Sequence, residues 1–130
     1  MTVLELFALG MGQLAEPVDD NPVIRDRFMV GWTNIVLHEA LDAENSIRAA
    51  NGETELTTAQ TVTSGSDVLT YHDQLLYTAL PYGIAAQAYV DDDNDYRANK
   101  YRQMFIAGLQ SCSKITFGTV EDVYSDSTSD

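Results

Sequence analysis

The chain reads as a mainly α-helical domain of about four helices, one short, one long and two packed towards the C-terminus, with a β-hairpin or extended arm between the second and third. Three observations predict this. Apolar residues recur at spacings of three and four over most of the chain. Helix start and stop signals bracket those stretches. Residues 53–69 break the pattern with threonines, isolated valines and the turn-forming run Ser64-Gly65-Ser66-Asp67.

The first helix is expected from Thr2 to Leu14. Val3, Phe7, Gly10 or Met11, and Leu14 share one face, and Thr2 with Glu5 three residues on matches a capping box. Pro17 and two aspartates make residues 16–21 a turn. Asn21-Pro22 then gives an N-cap residue followed by proline at the first helical position. From there to Ala50 no proline intervenes, and Phe28, Trp32, Ile35 or Val36, Ala40, Ala43 and Ile47 keep an apolar stripe, so a single long helix is expected. Gly31 is its expected point of bending or close packing, and Asn51-Gly52 its stop.

Thr70, with Asp73 three residues later, is the expected cap of the third helix. Residues 75–90 are apolar nearly all round, which points to a central, buried helix. Pro81 requires either a kink or a helix that starts there. The acidic corner 91–95 leads to a fourth helix over 95–113, with Tyr101, Phe105, Gly108 or Leu109, and Cys112 facing inward and Asp93 paired with Arg97. The expected division is a single domain over 1–118, with the arm at 53–69, and an acidic, flexible tail over 119–130. Neither arm nor tail has much apolar surface to set against its conformational entropy, so both are expected to become ordered on assembly.

With 45% apolar residues in 130, the chain can build a core without metals or disulfides. Its single cysteine, Cys112, excludes an internal disulfide and reads as a small buried hydrophobe. The N-terminal stretch lacks a basic region and a small-residue cleavage site, and no run approaches the roughly 18 apolar residues of a membrane span. A net charge of -13 repels phosphates and anionic lipid, which argues against sequence-reading and membrane-coating roles. A conduit through which DNA slides without sticking is the exception.

No chemical motif survives inspection. Asp91, Asp93 and Asp95 imitate the start of an EF-hand loop, but Tyr96 stands where the turn glycine belongs and Arg102 where the bidentate glutamate belongs. His38-Glu39 lacks the second histidine of a zinc-protease helix, and His72 lies in another segment. No nucleophile elbow or phosphate loop is present. The expectation is therefore no catalytic residues, no cofactor and no metal. Tyr71, Tyr77, Tyr82, Tyr89, Tyr96 and Tyr101 cluster in the last two helices and their approaches, where tyrosine suits surfaces that meet partners. Arg97, Lys100, Arg102 and Lys114 gather near the fourth helix while Glu121, Asp122, Asp126 and Asp130 follow, a segregation suited to head-to-tail contact between copies. Tyr77, Tyr82, Tyr89, Arg97, Lys100, Arg102, Glu121, Asp122 and Tyr124 are the candidate interface residues.

The order of elements, and the phrase Asp67-Val68-Leu69-Thr70 leading to Leu80-Pro81-Tyr82-Gly83-Ile84-Ala85-Ala86 and then an acidic corner before an aromatic and basic helix, resembles the head-tail connector (adaptor, or head completion) proteins of tailed bacteriophages. The similarity spans residues 2–113. It implies a structural virion protein in the neck, made in the host cytoplasm: a homo-oligomeric ring, twelve-fold, docked below the portal and bridging the DNA-filled head to a tail or neck protein. DNA would pass without sequence-specific binding, and an acidic lumen suits that passage. The alternative is a stand-alone oligomeric helical bundle with an interaction or regulatory role and an isologous tyrosine interface.

Overall fold

The computed structural model describes residues 1–12 and 22–128, with side chains described as far as Cys112 except at positions 22 and 24. The inner position given to Leu14, the turn at 16–21 and the cap at Asn21 lie outside the described residues. The fold is mainly α. Among the described residues six helices run in order: α1 (Val3–Gly12), α2 (Pro22–Glu39), α3 (Leu41–Ala50), α4 (Asp73–Thr78), α5 (Leu80–Asp91) and α6 (Asp95–Thr128).

The α1 cap is the expected box: the Glu5 amide donates to Thr2 Oγ1 at 3.2 Å and the Thr2 amide to Glu5 Oε1 at 3.3 Å. Val3, Leu6, Phe7, Gly10 and Met11 form the buried face of α1. The expected long second helix is instead two. Ala40, at φ -89° and ψ 0°, turns the chain between α2 and α3, although the bonds from Ala40 N to Val36 O and from Glu44 N to Ala40 O, both 2.9 Å, carry the ladder across. The turn lets α2 pack on α1 and α5 while α3 packs on α6. Gly31 is exposed and nothing approaches it, so the bend expected there lies nine positions on, at Ala40. The α3 stop is as expected. Gly52 takes φ +74°, its amide reaches Ala49 O at 3.2 Å, and the Glu53 amide reaches Arg48 O at 2.8 Å, a Schellman ending.

The third expected helix also divides, at Ala79. Pro81 has no N–H to give to the carbonyl four residues back, so α4 stops at Thr78 and α5 restarts with proline in its first turn. Thr70 does not cap α4. His72 holds that position, and Thr70 instead directs its amide and hydroxyl to Gln60 Oε1 at 2.9 and 3.0 Å. Helix α5 is the centre of the fold, burying Leu80, Pro81, Gly83, Ile84, Ala85, Ala86, Ala88 and Tyr89. Small residues set its distances to its neighbours. A Cβ on Gly83 would sit 2.7 Å from Val36 Cγ1 and 3.1 Å from the Phe105 ring, and one on Gly10 of α1 would sit 2.5 Å from Ile84 Cγ2.

The acidic corner is a second left-handed cap. Asp93 has φ +56°, the Asn94 amide bonds Tyr89 O at 2.9 Å, and Asn94 Oδ1 then accepts the Arg97 amide at 3.2 Å to start α6. The expected Asp93–Arg97 pair does not form; the guanidinium turns to the Tyr89 hydroxyl at 3.3 Å. On α6, Phe105 and Cys112 face inward as expected, with Ala98, while Tyr101, Gly108 and Leu109 are half-buried. The α6 backbone continues past Ser113 to Thr128.

The arm is not a hairpin. Among the described residues there is no strand, and the β-type pairing is one isolated antiparallel bridge, Thr2 with Val68. The Ser64–Asp67 turn does form, with Asp67 Oδ2 accepting the Thr63 and Ser64 amides at 2.8 and 3.2 Å. These bonds, the Thr63 amide foremost, hold the Asp67 carboxyl below the usual range against the opposing effect of burial. The two legs do not pair because other groups hold their peptides. Asn34 brackets Val62, with Nδ2 to the carbonyl at 3.0 Å and the amide to Oδ1 at 2.8 Å. Asn45 brackets Leu56 likewise at 2.9 and 2.7 Å. On the other leg, the carbonyls of Asp67 and Gly65 accept the Val3 and Leu4 amides at 3.0 Å each, and the Leu69 amide reaches Met1 O at 2.8 Å. Gln60 joins the legs with a side chain, giving Nε2 to Val68 O at 2.9 Å. Val62, Leu69 and Tyr71 enter the same core as the helices. Side-chain amides thus give the arm's backbone partners within one chain.

Two mutations probe this packing. Gly83→Leu is expected to cost about 1–3 kcal/mol or more by overpacking, read as a lower urea midpoint; stability equal to wild type would remove α5 from the centre. Thr33 is fully buried in α2 and its hydroxyl has no hydrogen-bond partner among the described residues. Thr33→Val is expected to stabilise the fold by about 1 kcal/mol, seen as a raised melting temperature.

Candidate functional site

Two groups of polar and aromatic side chains stand out. One lies along α5 and α6. Tyr101 stacks between Tyr89, at 5.4 Å and 11°, and Tyr82, at 6.2 Å and 23°. The Arg97 guanidinium lies 5.7 Å from the Tyr89 ring centre and Lys100 Nζ 5.8 Å from that of Tyr101. Both cations are exposed, and neither forms an ion pair among the described residues. Tyr96, 80% exposed, lines a shallow depression of about 280 Å³ with Asn99, Lys100 and Gln103. The helical spacing of α6 turns these cations and Tyr96 outward while Phe105 anchors the opposite side.

The candidate interface residues thus separate. Tyr82, Arg97 and Lys100 belong to this face. Tyr89 is only 5% exposed, so it supports the face from beneath and does not present to a partner. Arg102 is committed within the chain, to Glu39 Oε2 at 2.5 Å and over the Phe105 ring at 5.6 Å. Tyr77, 58% exposed, stands apart on α4 beside Met1, Glu5, Ala8 and Leu9 of the α1 region. Glu121, Asp122 and Tyr124 fall on the α6 backbone, with side chains outside those described.

No family model, no characterised protein and no solved structure matches the chain.

The second group was not anticipated from the sequence. Glu44, on the inner face of α3, has no exposed surface, and Arg48 Nε lies 2.6 Å from its Oε2. Its Oε1 accepts the His72 amide at 2.8 Å, and its Oε2 lies 2.9 Å from His72 Nδ1. His72 Nε2 in turn lies 3.1 Å from Glu53 Oε2. Beside it, Tyr71 donates its hydroxyl to Leu37 O at 2.7 Å, and burial pushes its phenol up to about 12. The Glu44–Arg48 spacing of four on a helix was the available signal. Its burial was not visible, because the partner His72 is 28 residues away.

Neither group has the form of a catalytic constellation. Cys112 is buried and burial raises its thiol, which keeps it protonated and unreactive. His38 is exposed on α2, against a groove of about 600 Å³ shared with the arm, away from the Glu44 and His72 cluster. Among the described residues no three or more His, Cys, Asp or Glu side chains converge as a metal set, and no helix is long and apolar enough to cross a membrane. The buried carboxylate instead joins α3 to the start of α4.

Glu44→Gln removes the charge that both Arg48 and His72 address, and is expected to cost about 3–5 kcal/mol. Glu53→Gln, at the solvent edge, is expected to cost under about 1 kcal/mol. Urea denaturation at pH 6 measures both; equal costs would refute the division between buried and peripheral carboxylate.

Proposed function

We propose that this chain is a structural subunit whose task is geometry: a head-tail connector of a tailed bacteriophage or prophage, assembled as a ring below the portal to join the DNA-filled head to the tail or neck. The observation that carries this reading is the cationic and aromatic edge of α6. Arg97 and Lys100 are exposed without carboxylate partners among the described residues, on a chain of net charge -13, next to the exposed Tyr96. In a solution of identical copies, such an edge meets an acidic surface wherever another copy presents one, a head-to-tail contact that closes into a ring. The resemblance over residues 2–113 supports the same assignment, as does the lack of a catalytic constellation among the described residues.

Electron microscopy of the purified protein, alone and with its candidate portal protein, tests the reading. Rings, or a collar on the portal, are expected. Lys100→Glu combined with Tyr96→Ser should abolish them while leaving the helical circular dichroism unchanged, since both side chains are outside the core. A closed two-fold dimer would favour the stand-alone helical bundle. A monomer that ignores the portal would overturn the proposal.

A further inference from the structure

His72 sits between two carboxylates, and both of its ring nitrogens are engaged. Nδ1 is 2.9 Å from Glu44 Oε2, and Nε2 is 3.2 Å from Glu53 Oε1 and 3.1 Å from Oε2. A neutral imidazole has one N–H and one lone pair, so it can donate to only one of these acceptors and must point the lone pair at the other. The imidazolium donates to both. The geometry is therefore that of the charged ring, and it carries mechanical meaning because the two carboxylates belong to different parts of the fold. Glu44 is on α3, fully buried. Glu53 follows the left-handed Gly52 and opens the arm, with its carboxylate about half in solvent.

We infer that His72 is a protonation-operated latch, which fastens the first residues of the arm to α3 while charged and lets them loosen when it becomes neutral. On deprotonation one carboxylate must give way. Glu44 cannot, since it is buried, holds Arg48 at 2.6 Å and also accepts the His72 amide. Glu53 can turn to water. The remaining charged or titratable neighbours do not substitute for it. Arg48 is committed to Glu44 and reaches Thr54 O at 3.3 Å, Tyr71 is turned to Leu37 O, and Asp73 is exposed to solvent in the first turn of α4. Arg48 keeps its contact with Thr54 O and its carbonyl keeps the Glu53 amide at 2.8 Å, so opening frees the Glu53 side chain and loosens residues 53–55 without freeing the arm, which stays held at Leu56 and Val62.

The direction of the pH effect follows. Burial lowers the His72 pKa, but the bonds to Glu44 and Glu53 outweigh it and the net value is raised above that of an ordinary histidine. A folded-state value above the unfolded one, about 6.5, means that the latch contributes fully below that pH and its contribution is lost as pH rises through the folded value. Opening thus accompanies mild alkalinisation. The inference rests on contacts within one chain and stands whether or not the chain forms rings.

Nitrogen-15 NMR of the full chain tests it, with a His38→Gln background so that one histidine is read. Both ring nitrogens of His72 should be protonated at pH 5.5, with a midpoint above about 6.5. The heteronuclear NOE of residues 53–55 should fall across that same midpoint while Leu56 and Val62 hold. Glu53→Gln should lower the midpoint, and His72→Gln should leave residues 53–55 indifferent to pH. A midpoint at or below the ordinary value would overturn the latch. So would an NOE profile unchanged across the midpoint, or one that still responds to pH in His72→Gln.

Discussion

The constraint on which this structure depends is that the backbone of the segment between α3 and α4 must find hydrogen-bond partners without a sheet. An extended chain lying against helices has no ladder to join, and each buried peptide left unpaired would cost about 1–3 kcal/mol. Side chains supply the ladder here. Asn34 and Asn45 each present a carboxamide oxygen and nitrogen to one residue's N–H and C=O, at Val62 and Leu56, so each imitates a strand neighbour for one residue. Gln60 does the same across the two legs, and Glu44 accepts the His72 amide at the far end. The first amides of α1 complete the set by donating to the carbonyls of Asp67 and Gly65. One consequence is that the positive end of α1 is already occupied by the chain's own carbonyls.

Around that frame, α5 acts as the hub. Because it is apolar on nearly every side, it can be stable only when enclosed, and α1, α2, α4 and α6 all pack on it. The glycines at 10, 83 and 108 mark where neighbouring elements come too close for a β-carbon; at Gly108 the obstacle is Ala79, 2.9 Å away, at the α4–α5 junction. Aromatic residues fill the two ends. Phe28 stacks on Trp32 at 4.9 Å and Phe7 packs on Trp32 at 6.1 Å, while the three tyrosines occupy the α5–α6 end. Both ends carry cations at the surface, Arg27 over the Phe28 ring at 5.5 Å and Arg97 and Lys100 over the tyrosines, and the tyrosine end adds the exposed Tyr96.

Local signals were legible in the sequence and distant ones were not. The Thr2–Glu5 box, the Asn51-Gly52 stop, the enclosure of α5 and the burial of Cys112 each depend on neighbours within a turn or on composition, and each was readable. The division at Ala40 has no proline or glycine to announce it, since it arises from α2 and α3 facing different partners. Thr70 carries the pattern of a cap, but Gln60, ten residues back, competes for it and wins both donors. The hairpin failed for the same reason: a turn at 64–67 says that the chain reverses, and says nothing about asparagines 28 and 11 residues away that claim its first leg, or about the N-terminal residues that claim its second. Of the candidate interface residues, spacing identified the α6 face but could not separate Tyr89 and Arg102, which are consumed internally, from Lys100, which is not, and it did not single out the exposed Tyr96 beside it.

The most direct measurement is hydrogen exchange at the Leu56 and Val62 amides in the isolated, unassembled chain. If the asparagine brackets organise the arm, both amides exchange slowly, with protection that Asn45→Ala removes at Leu56 and Asn34→Ala removes at Val62. Exchange at the rate of an unstructured peptide in the wild-type protein, with protection appearing only after assembly, would contradict the account.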